Sequence, residues 1–229
     1  MAGGAGGVGE GVVRALLRAG ARVIVPSRER ARLDALRALL GRDADGLHTV
    51  EADVGDFSSC ARLRDEALRA HGTIAGAVSA IGGWWQGARL TRVSSEDWER
   101  VLRNNLHAPW VFARTFLEPL HATEGATYTL LSGTAALEPV VDAGPSSIAG
   151  AATLMMARAL AAEAKGTHLR VNTLVLGPVR TRNTRGPGMP EWLTADEVGA
   201  YVAHLVSDQG RMVSGAVVHM VDRPAPVRP

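Results

Sequence analysis

Short runs rich in β-branched residues alternate along the chain with longer stretches whose apolar positions recur every three to four residues. The runs at 21–25, 47–52, 76–80, 126–131, 170–176 and 217–221 have the length and composition of strands. Val8, Val12 and Leu16 fall at four-residue spacing, with Val13 and Leu17 beside them, which marks an amphipathic helix. Further helical patterns cover 28–40, 58–70, 95–117, 147–164 and 194–206. Ser94-Ser95-Glu96-Asp97 and Thr194-Ala195-Asp196-Glu197 place a hydroxyl ahead of an acid-rich first turn, as helix starts do. Strand–helix alternation of this kind predicts βαβ units, hence an α/β fold with one doubly wound parallel sheet of Rossmann type. Two loops are rich in glycine and proline, 82–87 and 177–190. No repeat or linker divides the chain, so 1–229 reads as a single domain with a fraying, Pro-rich tail at 223–229.

Composition narrows the function classes. Apolar residues make up 46% of the 229, an ordinary globular share with enough length for one sizeable core. No apolar run nears the ~18 residues of a membrane span. The start, rich in alanine and glycine, lacks the basic and apolar regions of a secretory signal. Cys60 is the single cysteine, which excludes an internal disulfide and a cysteine-rich zinc site and points to a reducing cytoplasm. The seven histidines show no ligand spacing, so no metal is expected. The net charge is +2 and the pI about 9.2. The arginines are nevertheless scattered beside acids, as in Arg28-Glu29-Arg30, so neither nucleic acid nor a membrane is the expected partner; a small molecule is.

Candidate chemistry begins at the N-terminus. Gly3, Gly7 and Gly9 stand just ahead of the first helix, where glycines let the backbone approach a pyrophosphate held at the helix N-terminus. A merely flexible start is the alternative. The strand at 21–25 leads into Ser27-Arg28, where a ribose-binding residue belongs. An acid there would favour NAD, whereas Ser27 and Arg28 suit the 2′-phosphate of NADP; alternatively Arg28 only opens a solvated helix. Asp53-Val54 ends the next strand and suits an adenine contact, with plain helix capping as the other role for Asp53. The sequence therefore divides into a dinucleotide-binding half, 1–80, and a site and substrate half, 81–222. The strand that should precede the glycine loop is not in the sequence. A misplaced start or a truncated sequence would account for this. If the chain works from Met1, ladder groups are left unpaired around a slot in the core, the cofactor site is loose and stability is marginal.

These residues together give a resemblance. Over nearly its whole length the chain resembles the short-chain dehydrogenases/reductases of the classical type. Gly3-x-x-x-Gly7-x-Gly9, with Val8 inside it and Ala2 in place of the usual Thr, looks like that family's cofactor loop. Asp53-Val54 looks like its adenine contact, and Asn105-Leu106 like the Asn-Leu whose Asn anchors a proton-relay water. Ser132 follows a strand as the catalytic Ser does. Arg170-Val171-Asn172 followed by Gly177, Val179 and Thr181 resembles the segment beside the nicotinamide, with Leu176 replacing Pro. Ser214-Gly215 and Val221-Asp222 resemble the C-terminal segment, while Ser79-Ala80-Ile81-Gly82 stands for the usual Asn-Asn-Ala-Gly. The resemblance implies an NADP-binding oxidoreductase, with NAD or no cofactor as alternatives. It also implies a homo-oligomer, dimer or tetramer, packed partly through the Ala- and Met-rich helix over 149–164.

The departures bear on the chemistry. The family's Tyr-x-x-x-Lys should open the helix some fourteen residues after Ser132, and this sequence has Ser146 and Gly150 there. A ketone receiving hydride needs a proton donor within hydrogen-bond reach; a serine hydroxyl is a poor acid and glycine carries no charge. Tyr128 and Tyr201, the two tyrosines, fall in a strand and in the last helix. The single lysine, Lys165, is fifteen residues beyond Gly150, about 22 Å along a helix at ~1.5 Å per residue. Ordinary carbonyl reduction is thus opposed. Glu138 and Asp142, between Ser132 and Ser146, are candidate acids or bases if partly buried, and otherwise solvated. Ser132 either positions a substrate oxygen or hydrogen-bonds at its strand end; Asn105 either serves a relay or bonds backbone. Trp84, Trp85, Ser146 and Trp192 are candidate pocket residues, and Arg180, Arg182 and Arg185 a candidate lid for an anionic ligand. Three functions stay open: an atypical NADP-dependent oxidoreductase; a non-redox cyclase, lyase or dehydratase using Asp142, Glu138 or Ser132; or an inactive homologue binding nucleotide or pairing with an active relative.

Overall fold

The structure, a computed structural model, describes residues 1–184 and 189–221. In chain order its principal elements are α1 (Gly9–Arg18), β1 (Val23–Ser27), α2 (Arg30–Leu40), β2 (Leu47–Glu51), α3 (Phe57–His71), β3 (Gly76–Ser79), α4 (Ser95–Leu102) and α5 (Ala108–His121). They continue with β4 (Thr127–Gly133), α6 (Gly144–Glu163), β5 (Arg170–Leu176), β6 (Val179–Arg180), β7 (Leu193–Thr194), α7 (Ala195–Val206) and β8 (Val217–Met220). The principal strands all pair in parallel, with helices on both faces, as the alternating pattern predicts. β5 is buried at every position, the mark of a central parallel strand covered on both sides.

The ladder runs β2-β1, then β3-β4-β5-β8, in two hydrogen-bonded pieces. Among the described residues, only Met1 and Ala2 carry main-chain hydrogen bonds between them. The Met1 ammonium donates to the Ile24 carbonyl (2.6 Å), Ala2 N–H to Val78 O (2.9 Å), and Ala80 N–H to Ala2 O (3.0 Å). Beyond them lies a cavity of about 390 Å³ between the facing edges of β1 and β3. The slot foreseen from the sequence is therefore present, closed by two residues at the carboxyl end. One core cluster lies between α1, β1, α2 and α7, and includes Val12, Val25, Leu36 and Val198; a second, around Phe112, Leu130 and Tyr128, packs α3, α5 and α6 on the other face.

Several boundaries differ from the pattern. The single helix expected over 95–117 is two, joined by a π-helical turn at Arg103–His107, and α5 runs on through Pro119 to His121. A π turn leaves side chains where a regular helix would not, and here it carries Asn105. α6 begins at Gly144, ahead of the expected 147, because Pro145 in the first turn gives up no bonded N–H. β1 begins and ends two residues later than the 21–25 expected, and β4 extends to Gly133. β6 and β7 pair across the 177–190 loop, which the sequence left irregular. Both expected caps hold: Ser94 accepts from Asp97 N–H, and Thr194 and Glu197 form a full capping box. The tail at 223–229 and the residues Arg185 and Asp222 lie outside the described residues.

Candidate functional site

The glycine loop turns on hydrogen bonds from Gly6 N–H to Gly3 O and from Glu10 N–H to Gly6 O, each 3.0 Å. Gly3 has φ +78°, and a Cβ there would stand 2.1 Å from the Ala80 carbonyl oxygen; one on Gly9 would stand 2.0 Å from Gly3 O. Any side chain at either position breaks the turn, so the fold demands glycine at both. Gly7 packs against Thr181, which brings the 177–184 segment over the loop.

At the carboxyl edge of the sheet this loop walls a cavity of about 270 Å³, with Ser27, Arg28, Asp53, Val54 and Gly82 around it. Arg28 is exposed and is in no ion pair among the described residues, whereas Arg32 is held by Glu29 at 2.9 Å. The Ser27 hydroxyl accepts from Glu29 N–H (3.2 Å). Asp53 does not cap α3: its carboxylate accepts from Gly55 N–H (2.8 Å), while Asp56 caps the helix by accepting from Ser59 N–H (2.8 Å). The cap belongs to Asp56 because it directly precedes Phe57, the first helical residue.

A second cavity, of about 260 Å³, shares the wall from Ala80 to Trp84 and Asn105 with the first and continues to Val8, Ser132, Ser146, Gly150 and Leu176. Ser132 is half-buried and its hydroxyl makes no hydrogen bond among the described residues, so strand-end bonding is not its role here. Ser146 is committed elsewhere. Its oxygen accepts from Trp85 N–H (3.0 Å), and its proton goes to the Trp85 carbonyl (2.9 Å), clipping the tryptophan loop to α6. Asn105 is likewise occupied: its amide accepts from Gly83 N–H (3.1 Å) and donates to Gly83 O (2.7 Å), while its own carbonyl accepts from Thr153. At position 150 a Cβ would lie 3.1 Å from that of Ala136, so the 134–136 turn takes up room a longer side chain would need.

Among the described residues, no other acid stands where the Tyr/Lys pair is expected. Tyr128 is fully buried in the core, and burial holds its phenol well above the usual tyrosine range. Tyr201 lies in α7, and Lys165 is exposed past the end of α6. Glu138 is exposed. Asp142 (φ +63°) spends its carbonyl on Gly87 N–H (2.9 Å), and neither acid lines either cavity. Asp142 does not share the cavity that Ser132 lines; its backbone is tied to Gly87 instead. Trp192 likewise lines neither cavity; Trp84 and Trp85 line the first and Trp84 the second.

One group escaped the sequence reading. Glu10, in the first turn of α1, is buried, and burial raises its carboxyl pKa although Arg182 opposes the rise. Arg182 meets it at 3.0 Å and also donates to Ala5 O (3.1 Å), clasping the 177–184 segment to the glycine loop. Of the three lid arginines, Arg182 is thus a strut, and Arg180 is exposed. The available signal was an acid placed where the helix start should meet an anion.

Known proteins match this arrangement. Residues 3–223 match the family model described as Enoyl-(Acyl carrier protein) reductase. The chain is 25% identical over 228 residues to dehydrogenase/reductase SDR family member 4 of Bos taurus, covering 93% of this chain and 81% of that protein. It is 24% identical over 235 residues to a short-chain type dehydrogenase/reductase of Picea abies, covering 93% and 87%. A short-chain type dehydrogenase/reductase from Mycobacterium ulcerans superposes with TM-score 0.89 at 23% identity, over 96% of this chain and 86% of that one. A protein from Brucella melitensis titled short-chain dehydrogenase/reductase SDR:Glucose/ribitol dehydrogenase superposes with TM-score 0.84 at 23% identity, over 96% and 93%.

Proposed function

The chain belongs to the short-chain dehydrogenase/reductase family, and from that premise we propose that it is an atypical NADP(H)-binding member whose site works without the usual Tyr/Lys pair. The observation that carries the reading is the first cavity, where a tight glycine turn at one end meets Ser27 and an uncommitted Arg28 at the other. Gly3, Gly6 and the N-terminus of α1 suit a pyrophosphate, with Gly7, Val8 and Gly9 completing the loop. Asp53 and Val54 suit adenine, and Gly82, Gly177, Val179 and Thr181 the nicotinamide end. Ser27 and Arg28 suit a 2′-phosphate because both can donate, and Glu29, the acid that lines the cavity beside them, is held by Arg32. Residues 1–80 then serve as the cofactor half and 81–222 as the substrate half of one domain.

A bound nicotinamide supplies or takes up hydride. What this chain contributes is binding, orientation and one free hydroxyl. Ser132 donates a hydrogen bond to a small-molecule carbonyl in the second cavity, which Trp84 lines as an apolar wall. No general acid beside Ser132 delivers a proton, so reduction is slow by comparison with family members that keep the Tyr/Lys pair. The second reading, a nucleotide-binding homologue that pairs with an active relative, is favoured by the commitment of Ser146 to Trp85. A homo-oligomer through α5 and α6 and a reducing compartment such as the cytoplasm complete the proposal. In support, Cys60 is a buried free thiol and no helix of the described residues is long and apolar enough to cross a membrane.

The test is a titration of NADPH and NADH against tryptophan fluorescence, with Arg28→Glu beside the parent chain. We expect NADPH to bind at least ~10-fold more tightly than NADH, and Arg28→Glu to erase that preference, since one charge-assisted contact is worth ~1.5–3 kcal/mol. Equal affinities in the parent chain remove the NADP assignment, and no binding of either nucleotide removes the reading.

A further inference from the structure

We propose that the second cavity takes a neutral, compact carbonyl compound with an apolar body, and that it selects against ligands carrying a carboxylate or phosphate. This rests on the reading of that cavity as the substrate site and narrows it to a substrate class. Two adjoining spaces differ in charge. Charged side chains stand on the wall of the first cavity, Arg28, Asp53 and Arg103 among them. Among the described residues, none stands on the wall of the second, although the two cavities share the stretch from Ala80 to Trp84. The arginines foreseen as a lid for an anion do not alter this. Arg182 is held by Glu10 at 3.0 Å, Arg180 is exposed, and neither lines the second cavity.

The polar side chains on this wall are mostly engaged with main chain. Both ends of the Asn105 amide meet Gly83, and the Ser146 hydroxyl accepts from and donates to the Trp85 backbone. The Thr153 hydroxyl shares its proton between the carbonyls of Asn105 and Ala149, each at 2.7 Å. Ser132 is left as the wall hydroxyl whose proton goes to no acceptor among the described residues. Val8, Leu131 and Leu176 make the wall aliphatic, and Trp84, 58% exposed, adds its ring at the edge. A carboxylate entering here would exchange its hydration for one hydroxyl donor and no cation, which is a net cost. A ketone oxygen needs only that one donor, and its hydrocarbon body gains from the apolar wall. The volume, about 260 Å³, lies below the ~300–1,000 Å³ of ordinary ligand pockets, so the body is a single ring or a short branched chain.

The test titrates 4-methylcyclohexanone and 4-oxocyclohexanecarboxylate against the 229-residue chain, alone and with excess NADP⁺, by saturation-transfer NMR of the ligand. The oxidised nucleotide leaves the ketone unreacted, so binding alone is read. We expect the ketone to bind at least ~10-fold more tightly than the keto acid. Ser132→Ala should weaken both probes ~5-fold, the effect of one lost neutral hydrogen bond, and leave their ratio unchanged. Trp84→Arg, which sets a cation at an exposed position of the wall, should bring the keto acid level with the ketone or ahead of it. Equal or tighter binding of the keto acid by the parent chain overturns the proposal, and so does a failure of the ketone to saturate. A ketone affinity that neither variant changes places the ligand elsewhere and overturns it likewise. The cofactor reading fails separately. No nucleotide binding with the ketone preference intact removes that reading and keeps this one, whereas nucleotide binding without the preference does the reverse.

Discussion

Replacing Arg182 by alanine tests whether the clasp between the glycine loop and the segment after β5 is energetic or incidental. Arg182 meets the Glu10 carboxylate at 3.0 Å and donates to Ala5 O at 3.1 Å. Its side chain is 34% exposed while that of Glu10 is 9% exposed, so the pair is neither a surface contact nor fully desolvated. An exposed pair contributes ~0–1 kcal/mol, and breaking a fully buried one costs ~3–5 kcal/mol. The intermediate burial here places the loss at about 1–2 kcal/mol, most of it from leaving Glu10 uncompensated. For a chain of this size that is a fall of roughly 3–6 °C in Tm at neutral pH. The pH dependence has a defined sign. Burial raises the folded-state pKa of Glu10 above its unfolded value, so its burial is tolerated when it is protonated and becomes a cost as pH rises through the raised pKa. Removing Arg182 raises that pKa further. The deficit of Arg182→Ala should therefore be largest at pH 7–8 and shrink toward pH 4–5. In a Glu10→Gln background most of it should vanish, leaving only the bond to Ala5 O. Thermal denaturation of the four proteins of this cycle, at several pH values, measures all of this. An Arg182→Ala deficit that is unchanged by Glu10→Gln, or constant with pH, refutes the reasoning.

Two further outcomes are expected. Ser146→Ala removes both hydrogen bonds to the Trp85 backbone; it should cost about 1–2 kcal/mol and shift tryptophan emission to the red as the 83–87 loop loosens, and unchanged emission with unchanged Tm would show that the clip is idle. Burial lowers the pKa of the Met1 ammonium from 8.0 to about 5, so the unfolded chain binds the extra proton between those values and stability should climb from pH 5 to pH 8; N-terminal acetylation should flatten the climb, and a slope that survives acetylation comes from other groups.

The architecture was legible because parallel strands buried on both faces write themselves as short aliphatic runs, and 170–176 coincides with β5 to the residue. The helix expected over 95–117 was misread for a physical reason. A helix interrupted by a π turn keeps an apolar period on both sides, so 95–117 reads as one element although Asn105 sits in a break. The glycine loop was legible for a firm reason: Gly3 and Gly9 leave no room for a Cβ, and such positions are written in the sequence as glycine. The roles of Ser146 and Asn105 were not legible, since a hydroxyl or an amide in sequence does not say whether its partner is a ligand or the backbone of a loop 61 or 22 residues away. Asp142 was misleading for a related reason. Nearness to Ser132 along the chain did not put Asp142 in the cavity that Ser132 lines.

On the proposed reading, the residues standing where the Tyr/Lys pair is expected are structurally coupled to their surroundings. A serine at 146 ties down Trp85, a glycine at 150 admits the 134–136 turn, and Asn105 closes on Gly83 from the other side. Substituting only Ser146→Tyr and Gly150→Lys would meet the first two contacts: the tryptophan loop would lose its clip, and Ala136 would have to give way. Such a double variant should therefore show loosened tryptophan emission and no gain in NADPH turnover unless the 83–87 loop and the 134–136 turn are redesigned with it. A gain in carbonyl reduction from the two substitutions alone would mean that the cleft kept its catalytic geometry and that its present contacts merely fill space; no gain, with nucleotide binding intact, would mean that the cleft has been rebuilt around the tryptophan loop.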